Sequence, residues 1–501
     1  MMSRLQPAVA ALVALALTAC TSPQRGHSRV SMPAMASTGA ARVAIDGDIT
    51  DWPTDDAFYA NPDHLYFRFM VQDQLFTLQS APTPVTVFLD TDADASTGRR
   101  FSQPALQDLG ADLEIVFSPK ETNRRGAAAF VLGSDGKRDR ITHAQLDLVF
   151  APTYASQWYE ARMTRHLAHI AGLPFAGLQS EGAFAGFVAF GETSSKLSAY
   201  SDPSRGTLGP VRPQPSLATV DPPKKPANAI RVVSWNVENT SPVKQPNAFR
   251  NTLQLLDADV ILVQEWDEGD ADAVKGWFTA MVPFSGEWHV VKAPGDKSNG
   301  GGVAIISKHP TTPLDLGRLM TEPDRANPSR PIRFVAATVS TPLAPLIVGS
   351  THLKSGGSKD SNQDRRRVAE ARAINAAFAA ACSSLPPNAI RLIAGDMNLV
   401  GSRPPLDILR ASLDADSTEL DVLHPWPLGD DAMYTWLDDD SPFTPGRLDY
   451  IVYSDATASP ANAFIFNTRR LSDESLARMG MARDDSACSD HLPVVVDLLR
   501  K

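Results

Sequence analysis

The sequence predicts an α/β half preceded by an all-β half, and three observations carry that reading. From residue 229 onward, short apolar runs alternate with helical segments. Between 41 and about 198, short alternating runs are separated by turn clusters. Between these regions, residues 200–228 hold seven prolines and little hydrophobic content. The 501 residues are 43% hydrophobic and 21% charged, an ordinary globular balance with room for two or three domains.

Taken in order, residues 1–20 read as a secretory signal. Arg4 supplies the positive start, and Ala8 to Leu17 is apolar but too short to span a bilayer. The stretch ends Leu17-Thr18-Ala19-Cys20, which resembles a bacterial lipobox. That resemblance implies a lipidated Cys20, a bilayer anchor, and export to the periplasm, outer membrane or cell surface. An ordinary signal peptide with an incidental cysteine is the alternative. Residues 21–40 are rich in Ser, Pro, Gly and Ala and read as a flexible tether.

Residues 41–199 are expected to form an antiparallel β-sandwich, from runs such as Leu65 to Phe69 and Val85 to Leu89. Ile45 to Trp52, and Phe88 to Asp94 followed by Thr97-Gly98, resemble a family 9-like carbohydrate-binding module, which implies a glycan partner. Asp90, Asp92 and Asp94 at alternate positions present oxygens of the kind that hold Ca²⁺, although no bidentate Glu follows at EF-hand spacing. An acidic turn capping a hairpin fits them equally well. The prolines of 200–228 suggest a semi-extended spacer, with few contacts between the regions on either side of it.

In residues 229–501 several apolar runs end in polar groups. Ala229 to Val233 leads to Asn236, Val260 to Val263 leads to Glu265, and Leu346 to Val348 leads to His352. Ile390 to Ala394 leads to Asp396-Met397-Asn398; Asp449 lies in Arg447-Leu448-Asp449-Tyr450, and Asp490-His491 comes near the end. Ligands of α/β proteins sit at such strand ends. Carboxylates, carboxamides and histidines together suit hydrolysis of a phosphate ester at a hard metal ion. One helix is expected from Asp364 to Cys382. Cys382 and Cys488 are either a disulfide or two buried thiols.

The order Asn236, Glu265, His352, Asp396-x-Asn398, Asp449, Asp490-His491 resembles the endonuclease/exonuclease/phosphatase superfamily, over about residues 229 to 499. The resemblance implies a DNase I-like α/β four-layer sandwich of two packed mixed β-sheets flanked by helices. It implies Mg²⁺ or Mn²⁺ on Glu265, with Asn236 beside it and Asp490 as a further ligand. His491 would be the base and Asp449 its orienter. Asp396 and Asn398 would position nucleophile and phosphate, and His352 would donate to a phosphate oxygen or assist the leaving group. Lys354, Arg365, Arg366 and Arg367 are either a basic rim for an anionic substrate or a solvated charge run.

Net charge is −10, with −8 of it in residues 229–501. This is not the footprint of a tight non-specific DNA binder. The sequence therefore points to an exported, lipid-anchored, Mg²⁺-dependent phosphodiesterase or nuclease, acting as a monomer on a phosphodiester, nucleic acid included. The alternatives are a phosphomonoesterase, a sphingomyelinase-like lipid phosphodiesterase, or a glycan-binding lipoprotein with a vestigial second domain. No Trp/Phe/Tyr cluster suited to membrane contact stands out in the second half, which weighs against the lipid hydrolase.

Overall fold

Residues 229–501 carry β-branched and aliphatic runs long enough to be buried on both faces, and they pair into two mixed sheets. We label the strands that reach the site β1 (Ala229–Asn236), β2 (Val260–Gln264), β3 (Val303–Ser307), β4 (Phe334–Ser340), β5 (Pro345–His352), β6 (Ile390–Asp396), β7 (Asp449–Tyr453) and β8 (Val494–Arg500). The first sheet contains β3, β2, β1 and β8 in that order, and the second contains β4, β5, β6 and β7. In this computed structural model the described residues are 43–501 apart from 54, 55, 72–75, 175–177, 179, 180, 192–196 and 198. The expected signal over 1–20, Cys20 and the tether over 21–40 lie outside them. Among the described residues no helix is long and apolar enough to cross a membrane.

The two sheets pack face to face through Val232, Val260, Leu262 and Ile305 against Val348, Leu392 and Ile451. Helices Pro246–Leu256 and Ala271–Met281 cover the outer face of the first sheet, through Phe249, Leu253, Val274 and Phe278. Helix α1 (Asn362–Cys382) covers the second, through Ala371, Ile374 and Phe378 against Phe334 and Ile393. The result is the expected four-layer α/β sandwich. Ser361 caps α1 by accepting from the Asp364 amide at 3.2 Å. Trp266, Phe278 and Trp288 form a buried aromatic cluster, with Trp277 and Phe284 half-buried against it.

The preceding residues form the expected all-β region. A four-stranded sheet includes His64–Met70 and Trp158–Thr164, and a larger one includes Val85–Asp90, Leu113–Phe117, Ala127–Leu132 and Gly182–Phe190. Between them lies a core of Phe67, Val87, Ile115, Phe150 and Tyr159.

The segment 200–228 is not a spacer. Ser204–Leu208 pairs with Gly182–Phe190 as a further strand of the larger sheet. Beyond it, Ala218 bridges to Leu471, Lys225 Nζ reaches Asp259 at 2.8 Å, and the Pro223 carbonyl accepts from Arg231 at 2.7 Å. Proline removed donors from this stretch without removing its remaining carbonyls, amides and charges, and those dock along the second half. Nor are contacts between the halves few. Val43, Ile45, Trp52, Tyr66, Val149 and Ala151 belong to the same buried cluster as the sheet interface of the second half. Arg162, fully buried, pairs with Asp430 and Asp431. Cys382 and Cys488 are free, buried thiols in different clusters.

Candidate active site

Strand register assembles the centre. β5 and β6 run parallel with His352 opposite Asp396, and β6 and β7 run antiparallel with Asp396 opposite Asp449. On the other sheet β1 and β2 run parallel with Asn236 opposite Gln264, so Glu265 stands one residue past the strand end. His491 lies just before β8, and its carbonyl accepts from the Trp235 indole at 2.8 Å. Glu265 (φ 61°) and Asn398 (φ 47°) are both held in the left-handed region. Side-chain-bearing residues occupy that region at a cost, and such strain clusters at functional sites. Gly395 has no room for a side chain: a Cβ there would stand 1.9 Å from the Thr351 carbonyl oxygen.

Asp396 is the hub. Its Oδ2 accepts from Asn398 Nδ2 at 2.8 Å and Asn236 Nδ2 at 3.1 Å, and lies 3.3 Å from His352 Nε2 and 3.8 Å from His491 Nε2. Its Oδ1 accepts from the Asn398 amide at 2.9 Å. Burial pushes the Asp396 carboxyl up to about 7, with Asp449 and Glu265 adding to the rise and His491 opposing it.

His491 Nδ1 lies 2.7 Å from Asp449 Oδ2, so the dyad expected from the sequence is formed across 42 positions. Burial works to lower the His491 pKa, but Asp449 and Asp396 outweigh it and raise it to about 10. Asn236 Nδ2 stands 3.4 Å from both Glu265 Oε1 and His491 Nε2. The Glu265 Oε2 accepts from the Asn239 amide at 3.1 Å. Asp490 Oδ2 accepts from the Trp436 indole at 2.9 Å, and the Asp490 amide donates to Glu238 at 3.1 Å.

The donor set fits a hard divalent cation. Burial raises the Glu238 carboxyl, with Asp490 and Glu265 adding to it. Burial likewise raises Asp490, again with Glu265 adding. Negative charge at this end is therefore under-compensated, and the ligand types are the oxygens that Mg²⁺ takes while keeping several waters.

The basic residues divide. Arg367 is fully buried; it holds Asp364 at 3.1 Å and the carbonyls of Lys354 and Gly356, so it fixes the loop and is not on a rim. Arg366 pairs with Glu370 at 2.8 Å, and Lys354 Nζ donates to the Ser355 carbonyl at 3.0 Å. Exposed Arg365 bonds its own turn at Asp360 and Asn362. Sequence reasoning missed Arg333, Glu238 and Trp436. Arg333 precedes an apolar strand and Glu238 follows Asn236 by two, which are the only local signals either carries. Trp436 sits in a loop with no readable pattern.

In the first half, Asp90 and Asp92 do come together, but with Asp112 and not Asp94. The three carboxylates place oxygens within 4.8 Å of one another, the one such group of acids and histidines found among the described residues. Asp94 is exposed and caps its own turn, accepting from the Ser96 amide at 2.8 Å. Asp112 arrives from the neighbouring strand pair, which spacing within one loop could not reveal.

Two packed mixed sheets with this acid- and histidine-lined end define a metal-dependent phosphoester hydrolase. The chain belongs to the Endonuclease/Exonuclease/phosphatase family, whose pattern matches residues 233–491. No curated protein matches the chain. Among solved structures it is similar to D. rerio TDP2 complexed with single strand DNA product, at 16% identity over 54% of this chain and 98% of that one, with a TM-score of 0.35. It is also similar to the human Nocturnin catalytic domain with bound sulfate anion, at 17% identity over 56% and 97%, TM-score 0.35. A third is sphingomyelinase C from Streptomyces griseocarneus, at 16% identity over 54% and 99%, TM-score 0.34.

Proposed function

We propose that the protein is a Mg²⁺-dependent phosphodiesterase in which His491 activates water. The observation that carries this reading is the buried His491–Asp449 pair at 2.7 Å, whose Nε2 faces Asp396 and Asn236 at the acid-rich strand ends. With Nδ1–H given to Asp449, Nε2 is the nitrogen at which a proton is exchanged. Asn236, Asn398 and His352 all converge on Oδ2 of Asp396, an arrangement of donors that also suits a phosphate oxygen. Glu265, Asn236 and Asp490 would hold the cation, which when bound neutralises phosphoryl charge and opposes the proton on His491. Lys354 and Arg366 would border the substrate. All the polar positions expected from the sequence are present, which speaks against a vestigial domain. The burial of Trp266, Phe278 and Trp288 at the heart of the aromatic cluster speaks against a membrane-inserting lipid hydrolase.

A panel of plasmid DNA, RNA, bis-p-nitrophenyl phosphate, inositol phosphates and sphingomyelin, each with Mg²⁺, Mn²⁺ or EDTA, tests the reading. Diesters should be turned over, EDTA should abolish turnover, and Glu265→Gln should greatly reduce it. Full activity in excess EDTA would sink the metal mechanism, and turnover of phosphomonoesters or sphingomyelin alone would sink the substrate class.

The lipid anchor on Cys20 remains part of the proposal: Cys20→Ser should release the protein from the membrane fraction, and its retention there would refute it. In the first half we propose a Ca²⁺-class cation on Asp90, Asp92 and Asp112. Asp90 is 2% exposed, and its Oδ1 has no hydrogen-bond partner among the described residues. Ca²⁺ should raise the melting temperature of the wild type and not of Asp112→Asn; an equal rise in both would dismiss the site. Binding of a glycan to this half would register as a shift in a soluble-glycan titration.

A further inference from the structure

Arg333 sits immediately before β4, beside the end of β5. Its carbonyl accepts from the His352 amide at 3.1 Å and the Thr351 hydroxyl at 3.3 Å. Its guanidinium donates to the Leu353 carbonyl at 2.8 Å, and Nη1 lies 2.9 Å from Nδ1 of His352. A guanidinium has five N–H donors, no acceptor, and keeps its charge in proteins. Nδ1 of His352 must therefore accept, which leaves the ring proton on Nε2. Nε2 is the atom turned to the centre, 3.3 Å from Asp396 Oδ2 and 3.7 Å from Glu265 Oε1.

We infer that Arg333 is a positioning residue that fixes His352 as its Nε2–H tautomer, so that His352 presents a hydrogen-bond donor to a phosphate oxygen and cannot serve as a base. Which nitrogen of a histidine faces the reaction, and whether it carries a proton, is decided by what the other nitrogen bonds. The two histidines of this centre are set in opposite senses by that rule. Asp449 accepts from a protonated Nδ1 of His491, so Nε2 is the nitrogen there that exchanges a proton, whereas Arg333 donates a hydrogen bond to a bare Nδ1 of His352 and leaves the ring proton on its Nε2 to donate. One histidine takes and the other gives, and neither can exchange roles without losing its partner. Of the two roles that family resemblance left open for His352, this one keeps donation to a phosphate oxygen. The inference rests on the proposed phosphodiesterase only for the identity of the acceptor; the tautomer follows from Arg333 alone.

Nitrogen-15 spectra of histidine-labelled full-length protein test it, with the His352 signal assigned by its loss in His352→Gln. The wild type should show a bare Nδ1 and a protonated Nε2 at His352. Arg333→Lys should keep that pattern, because an ammonium also only donates, and Arg333→Met should give a mixture of tautomers. On bis-p-nitrophenyl phosphate with Mg²⁺, Arg333→Met should lower kcat on the order of 10- to 100-fold, the usual range for a lost outer partner, with KM much less affected. In a His352→Gln background the same substitution should cost nothing further, since a carboxamide has no tautomer to fix. A protonated Nδ1 in the wild type, or an equal loss in both backgrounds, overturns the inference. If no phosphoester is hydrolysed, the proposed function fails while the spectra still decide the tautomer. If Arg333→Met does not fold, the wild-type and Arg333→Lys spectra decide it.

Discussion

How each proton is held organises the site at the level of single side chains. His491 and Asp449 act as one unit, so their losses should not add. His491→Ala should cost on the order of 10²-fold or more in turnover, the scale of a lost general base. Asp449→Asn should cost less, and the double variant should resemble His491→Ala alone in a kcat measurement. Simple addition of the two losses would break the dyad. The residues of this centre were legible in the sequence because each is a polar group at one end of an apolar strand: Asn236, Glu265, His352 and Asp396 where a strand stops, Asp449 and His491 where one starts. Arg333 was not, since its meaning lies in a neighbour 19 positions away across a strand pair. Arg367 misled for the opposite reason. A basic run looks exposed in a sequence, while the helix turn carries Arg367 into the interior against Asp364 and leaves Arg366 half-buried beside Glu370.

Single elements hold the centre in register. A parallel pair and an antiparallel pair share β6, and this sets His352, Asp396 and Asp449 side by side. The apolar runs announced most of these strands, and Asp364 to Cys382 announced α1 to within two residues of its start. The cap on α1 is a local contribution that can be measured. Ser361→Ala removes the acceptor of the Asp364 amide and should lower stability by about 1 kcal/mol in urea unfolding, the usual cost of losing such a cap. No change in the midpoint would mean that the loop satisfies that amide in another way. What the sequence hid at this scale is long-range. Nothing local to Ser204–Leu208 says that it is a sheet strand, because its partner lies upstream in Gly182–Phe190. Proline counting therefore described the wrong property of the segment.

Across the whole molecule, the two halves share a core and a buried ionic cluster. Arg162→Ala would remove the cation that bridges Asp430 and Asp431, leaving Arg470 on Asp430 and His64 beside Asp431. Stripping a buried carboxylate of every partner costs about 3–5 kcal/mol, so with those two cations still in place a part of that is lost and melting should occur below the wild-type temperature. An unchanged melting temperature would show that the cluster adds nothing to cohesion. Acid should act on the same cluster. Burial tends to raise the Asp431 carboxyl, but Arg162 and His64 outweigh this and hold it well below the ordinary carboxylate range. A carboxyl depressed in the folded state stabilises the fold fully above its unfolded value of about 3.9, and that contribution drains away as pH falls further. Unfolding free energy should thus drop below about pH 4 in the wild type and drop less steeply in Asp431→Asn. The same shared core predicts that a fragment of 229–501 is insoluble, the reverse of what the prolines suggested.

The first half also touches the loops that carry the centre. Thr153 Oγ1 donates to the Leu399 carbonyl at 2.8 Å, just past Asn398, and the Ala155 amide donates to Gly401 at 2.9 Å. Thr77 Oγ1 reaches Gly401 at 3.0 Å and accepts from Lys359 at 3.0 Å, while Ala127 and Gln79 hold Pro442 and Thr444 on the approach to Asp449. Covalent continuity is thereby made redundant. A protease that cuts the exposed stretch around 213–217 would separate the backbone without separating the halves. The nicked protein should elute as one particle, run as two bands only once denatured, and keep its turnover, behaving as a two-chain enzyme made from a single gene product.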